Sequence, residues 1–109
     1  MKTIHKPWGK EIIFIVNDHY ACKILHIYHG HRLSKQYHQF KDETIYILNG
    51  VLTVELSSGW RRLTQGCTLH IRPNVVHRFE APEGDCEIVE VSTPELSDVV
   101  RLEDDYGRT

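Results

Sequence analysis

The stretch LSKQYHQFKDETIYILNG, Leu33–Gly50, decides between a helical and a β reading of the chain. Strand side chains alternate between faces, so Ser34, Gln36 and His38 share one face while Lys35 and Tyr37 share the other. If Gln39-Phe40-Lys41-Asp42 makes a turn, Glu43 opens the next strand with Ile45 and Ile47 on its own face, and the turn residues Asn49-Gly50 close it. The segment therefore predicts two strands that carry a glutamine, a histidine and a carboxylate toward an apolar interior. A carboxylate among inward-facing isoleucines is costly unless something compensates it, and a divalent cation does so directly.

The same grammar runs outward in both directions. Short apolar segments, EIIFIV, YACKILHIY, TIYIL, VLTVEL, CTLHI and CEIVEV, are separated by Asn17-Asp18, His29-Gly30, Asn49-Gly50, Ser58-Gly59, Pro73-Asn74 and Pro82-Glu83-Gly84. β-branched and aromatic enrichment with turn residues at this spacing reads as many strands. Before residue 95 no segment holds a 3.6-residue apolar period long enough for a helix. Only TPELSDVVRLEDDYGRT, with Leu96, Val99 and Val100 spaced for one face and Pro94 near its start, reads as a helical or irregular tail. The expectation is a single all-β domain over residues 1–109, closed into a small barrel or two-sheet jelly roll to protect its edges, with a pocket at one mouth.

Composition narrows the function. At 109 residues the chain suits one domain, and a net charge of -2 offers no electrostatic reason to expect nucleic acid or an anionic membrane as partner. No apolar run approaches the roughly 20 residues of a bilayer span, and MKTIHKPWGK lacks the apolar core of a signal peptide, so the expected location is cytoplasmic. Cys22, Cys67 and Cys86, an odd number without close pairing, suit reduced thiols. Eight histidines are many for this length, and position must decide which of them act.

His77 shares a face with Phe79 and Ala81 if HRFEA is a strand, which makes it a fourth member of the Gln36, His38, Glu43 group. Taken singly, each is an ordinary residue: a solvated strand glutamine, a half-buried histidine, a turn carboxylate. Together, on neighbouring strands, they have the spacing of a metal site. His5, His19, His26, His29, His31 and His70 have no such partners and read as surface or strand residues; Trp60 and Arg61-Arg62 read as an exposed hairpin.

At this point the chain resembles the cupins. Their first motif is a glycine, five residues, His-x-His, three or four residues, Glu, six residues and a glycine; Gly30, Gln36, His38, Glu43 and Gly50 fall on those positions, with glutamine replacing the first histidine. The second motif is matched by Gly66 and His77, with Pro73 one position late, Asn74 in a glycine place and Ala81 where Asn is usual. Asn is the non-glycine residue that best tolerates positive φ, so this turn survives. The resemblance implies a double-stranded β-helix, the jelly-roll barrel.

Within the cupins the chain is similar to the C-terminal domain of type II phosphomannose isomerases, nearly end to end, through KPWG (Lys6–Gly9), Lys23, LSKQYH (Leu33–His38), IVEV (Ile88–Val91) and VRLEDDYGR (Val100–Arg108). That likeness implies Gln36, His38, Glu43 and His77 as the metal set, and an enzyme interconverting mannose 6-phosphate and fructose 6-phosphate. It departs at Thr44-Ile45, where the family usually has His-Trp, and at Lys41, where it has arginine; the nucleotidyltransferase domain of bifunctional members is absent from these 109 residues, so no sugar-nucleotide synthesis is expected of them.

The ligand set suits one divalent ion, Zn, Mn, Fe, Co or Ni, rather than a thiolate-rich structural zinc site. Ser34 and Lys41, at the rim by their parity with Gln36 and Glu43, are the first substrate-binding candidates for a sugar phosphate. Lys23, Arg101 and Arg108 join them, the two arginines as cover for the mouth. The general base is not legible, Lys23 and Glu90 being the only residues to name. Trp8 reads as a packing turn or a sugar contact. A homodimer is expected because small cupins commonly pair. Two other readings compete: a cupin dioxygenase or other small-molecule metalloenzyme, and a non-catalytic sugar-phosphate-binding cupin.

Overall fold

A computed structural model describes all residues, 1–109, as eleven β-strands with no helix. β1 (Lys2–Lys6), β2 (Gly9–Val16), β3 (Ala21–Ile27), β10 (Cys86–Ser92), β5 (Glu43–Asn49) and β8 (Thr68–Ile71) form one antiparallel sheet in that spatial order. The second sheet runs β11 (Val100–Glu103), β4 (Lys35–Tyr37), β9 (His77–Glu80), β6 (Leu52–Leu56) and β7 (Gly59–Leu63). Two sheets that exchange strands along the chain and close over one interior are the jelly roll expected above.

Register explains why one end of the interior is polar and the other dry. Ser92 pairs with both Ala21 and Glu43; Glu90 pairs with Lys23 and Ile45; Ile88 pairs with Leu25 and Ile47; Cys86 pairs with Ile27. The first two inward rows thus carry Glu43, Lys23 and Glu90, and the rows beyond them are wholly apolar. The second sheet repeats the gradient, His77 preceding Phe79 on β9 and Ala81 just beyond it. Leu25, Ile27, Ile45, Ile47, Leu52, Val54 and Ile88 fill the dry end with almost no exposure. Their burial supplies the main stabilising term, about 2 kcal/mol for each such side chain before entropy is subtracted.

Two expectations need correction. The tail is not helical: Val100–Glu103 pairs with β4, and Leu96–Ser97 lies in a turn. Three local bonds, including Asp98 N to Glu95 O at 3.2 Å, are all the chain retains of a helical start. Leu96 and Val99 line the pocket and Val100 pairs with Tyr37 instead, because an unpaired edge beside β4 offers ladder hydrogen bonds that a short isolated helix cannot match. The N-terminus also carries a strand the apolar pattern missed. β1, sequence KTIHK, is largely exposed and is held by pairing to β2 across the Pro7-Trp8 turn.

Candidate metal centre

Three polar residues with potential ligand atoms meet at the polar end. His38, Glu43 and His77 are each buried, and one donor atom from each lies within 4.8 Å of the others. His38 Nε2 stands 3.1 Å from Glu43 Oε1, and His77 Nε2 stands 3.4 Å from the same oxygen. The tautomers follow from the other ring nitrogens. His38 Nδ1 donates to Asp98 O at 2.6 Å and His77 Nδ1 donates to Val75 O at 2.9 Å, and a carbonyl can only accept. In its neutral form each ring therefore aims an Nε2 lone pair at a carboxylate oxygen. Lone pairs converging on an anion repel unless a cation stands among them or the rings are protonated.

His77 Nε2 and Glu43 Oε2 are buried and have no hydrogen-bond partner, so the arrangement fits a divalent ion on its own chemistry. Burial works to raise the Glu43 carboxyl, but the His38 and His77 rings set against it, with the Lys41 ammonium nearby, outweigh burial and hold the group well below the usual carboxylate range. The carboxylate is available as an anionic ligand.

Gln36 stands directly opposite His77 on the neighbouring strand and lines one pocket together with His38. Its Oε1 accepts a 2.6 Å hydrogen bond from Ser34 Oγ, which orients the amide oxygen. Ser34 lines the pocket beside Gln36, but it is only 1% exposed and its hydroxyl is engaged by that neighbour.

Lys41 also lines the pocket beside the ligand cluster. It is 3% exposed, with Nζ 3.1 Å from Glu90 Oε2 and 3.9 Å from Glu43 Oε2. Lys23 projects inward as expected, 3.2 Å from Glu11 and 3.5 Å from Glu90. Glu11, Lys23, Glu90, Lys41 and Glu43 thus alternate in sign from the pocket wall to the metal ligand. Desolvation, with the nearby Glu43 charge second, pushes the Glu90 carboxyl up to about 7. Burial alone would lower Lys23, but Glu90 and Glu11 overcome it and keep the ammonium charged.

The cavity in front of this ladder measures about 270 Å³. Arg101 and Arg108 line it as expected, and Trp8, 2% exposed, serves both as core and as pocket wall. Glu11 and Lys6 are pocket residues that sequence reading passed over, although Lys6 belongs to the KPWG segment it singled out. Asp98 was also missed. Its carboxylate accepts from the backbone N–H groups of Gln39, Phe40 and Lys41 at 3.1, 2.7 and 2.9 Å, while its carbonyl orients His38. Nothing local marks a residue that acts on a segment nearly sixty positions earlier.

A closed two-sheet β-fold with a His/Glu cluster at one mouth defines the class: this is a cupin. A solved RmlC-like cupin from Shewanella frigidimarina has the same fold, with a TM-score of 0.77, 16% identity, and coverage of 87% of this chain and 85% of that one. The chain belongs to the mannose-6-phosphate isomerase C-terminal family, whose model matches residues 1–104. Among relatives, it is 28% identical over 112 residues to the xanthan biosynthesis protein XanB of Xanthomonas campestris, covering 99% of this chain and 24% of that protein. It is 29% identical over 111 residues to the mannose-1-phosphate guanylyltransferase ManC of Salmonella typhimurium, covering 98% of this chain and 23% of that protein. The chain therefore spans about a quarter of the length of these relatives.

Proposed function

We propose that this cupin isomerises a phosphorylated aldose to the ketose and back, with mannose 6-phosphate and fructose 6-phosphate as the pair favoured by its family. The observation that carries the reading is the buried trio His38, Glu43 and His77, with Glu43 Oε2 and His77 Nε2 unpartnered, beside a cation-lined pocket that His38 itself lines. These three and Gln36 hold one divalent ion of Zn, Mn, Fe, Co or Ni. When bound, such an ion supplies Lewis acidity that polarises a sugar carbonyl and steadies the charge of an enediolate. Gln36, a neutral ligand, leaves the centre with one ligand carboxylate and hence a net positive charge.

The chain's own groups do the rest. Glu90 lines the pocket, and in this reading its carboxylate takes a proton from C2 of the sugar and returns it to C1 while the hydroxyl proton shifts from O2 to O1. Lys23 and Lys41 hold it from two sides and compensate its burial. Trp8, Leu33 and Phe79 exclude water from one wall. The protein works as a homodimer in this reading, through the apolar outer face of the six-stranded sheet.

The test is metal analysis of the purified protein with an isomerase assay on mannose 6-phosphate. Chelation abolishes turnover, and His77→Ala and Gln36→Ala each lower kcat/KM by about a hundredfold or more, the scale of losing one electrostatic stabiliser. Undiminished activity in both variants overturns the assignment. Tight sugar-phosphate binding without turnover selects a binding module instead.

A further inference from the structure

Five cations line the pocket: Lys6, Lys23, Lys41, Arg101 and Arg108. Three are matched within the chain. Lys23 faces Glu11 and Glu90, Lys41 faces Glu90 and Glu43, and Arg108 grips Asp104 through Nε and Nη2 at 2.9 and 2.7 Å. Lys6 and Arg101 pair with no carboxylate, and Arg101 Nε is buried without any hydrogen-bond partner. A buried guanidinium N–H left unmade is costly, and the structure repeats this cost nowhere else among its arginines.

The topology gives these two residues a common position. Lys6 ends β1, the edge strand of the six-stranded sheet, and Arg101 lies on β11, the edge strand of the other. Arg101 is paired in register with Gln36, so it shares the pocket face with that residue. The two edges thus bring one uncompensated positive charge each to the same open cavity.

We propose that Lys6 and Arg101 form the receptor for the phosphate dianion of the substrate, holding it at the mouth while the sugar carbons reach toward His38, Glu43 and His77. The inference rests on the sugar-phosphate reading and deepens it. Two fixed cations match the two charges of a phosphate monoester, and a guanidinium offers it a forked pair of donors. Lys41 and Ser34 are not needed for this task. One is spent on carboxylates and the other on Gln36, so the phosphate meets the molecule at its edges rather than in its buried ladder.

The experiment is calorimetric titration of the metal-loaded full chain with inorganic phosphate, alongside the isomerase assay. Lys6→Gln and Arg101→Gln each weaken phosphate binding by about tenfold or more, the usual effect of deleting one charge-assisted contact, and the double variant loses it. Arg101→Lys, which keeps the charge without the fork, retains part of the affinity. Arg62→Gln, at an exposed arginine outside the pocket, changes nothing. Thermal melts establish that each variant is folded. Unchanged phosphate affinity in both Gln variants overturns the receptor, as does affinity lost in His77→Ala but kept in Lys6→Gln and Arg101→Gln, which would place the anion on the metal. Phosphate binding that needs both residues, in a protein without turnover, sinks isomerisation alone. Full turnover of mannose 6-phosphate in both Gln variants sinks the receptor alone.

Discussion

Single residues set the turns that aim the ligands. Asn74, where the motif places glycine, adopts a φ of 67°, and its N–H donates to His38 O at 2.6 Å, tying the second-motif turn to the first-motif strand. That tolerance was readable from residue type. Gly50 is a stricter case: its φ is +82°, and a Cβ there would stand 2.4 Å from Asp85 O. Backbone cannot retreat as a flexible side chain does, so Gly50→Ala is expected to destabilise the fold by about 2 kcal/mol or more, read from the urea midpoint. Ser34→Ala leaves the charge of the centre unchanged but frees the Gln36 amide to rotate. Its expected signature is weaker metal retention with unaltered metal stoichiometry at saturation, measured by competition with a chelator.

At the scale of the element, the C-terminal segment matters most. Arg78, only 2% exposed, donates to Leu33 O at 2.9 Å and reaches Glu103 and Asp105, while Arg32 holds Asp105 at 2.7 Å. These bonds pin β11 and the following turn over β4 and β9. Arg78→Ala removes a buried charge that three oxygens expect, and a loss of about 3 kcal/mol follows, visible in thermal or urea unfolding. Asp104 adds a pH dependence. Its hydrogen bonds from Arg108 hold its carboxyl down to about 2, against about 3.9 in an unfolded chain. As pH falls the unfolded state takes the proton first, so this stabilisation is complete above about pH 4 and drains away toward about pH 2. Urea midpoints across that window check it, and Asp104→Asn flattens the slope. The helical expectation failed here because apolar spacing reports only a buried face. Whether that face belongs to a helix or to a strand beside an open edge depended on β4, more than sixty positions away.

For the molecule as a whole, the outer face of the six-stranded sheet is unusually apolar. Ile24, Val89 and Tyr46 are cross-strand neighbours on it, with Tyr46, Leu48 and Val91 exposed by 40% or more. The homodimer proposed above would cover these exposed apolar side chains by a two-fold arrangement. Tyr46→Lys and Val91→Lys are then expected to give a folded monomer by sedimentation velocity, while the unmodified chain sediments as a dimer. A monomeric unmodified chain at micromolar concentration refutes that arrangement.

The alternation of Leu33–Gly50, the turn residues between short apolar runs and the Gln36, His38, Glu43, His77 spacing were sufficient to specify an all-β barrel with a polar cluster at one end. Strand parity and motif distance are local properties, and local properties survive in a linear chain. What only the tertiary structure decided was how the charges partner: that Lys23 and Lys41 are consumed by Glu11, Glu90 and Glu43, that Asp98 steers His38, and that Lys6 and Arg101 arrive uncompensated at the mouth. Ion pairing depends on distances of a few ångströms between residues tens of positions apart, and folding alone sets those distances.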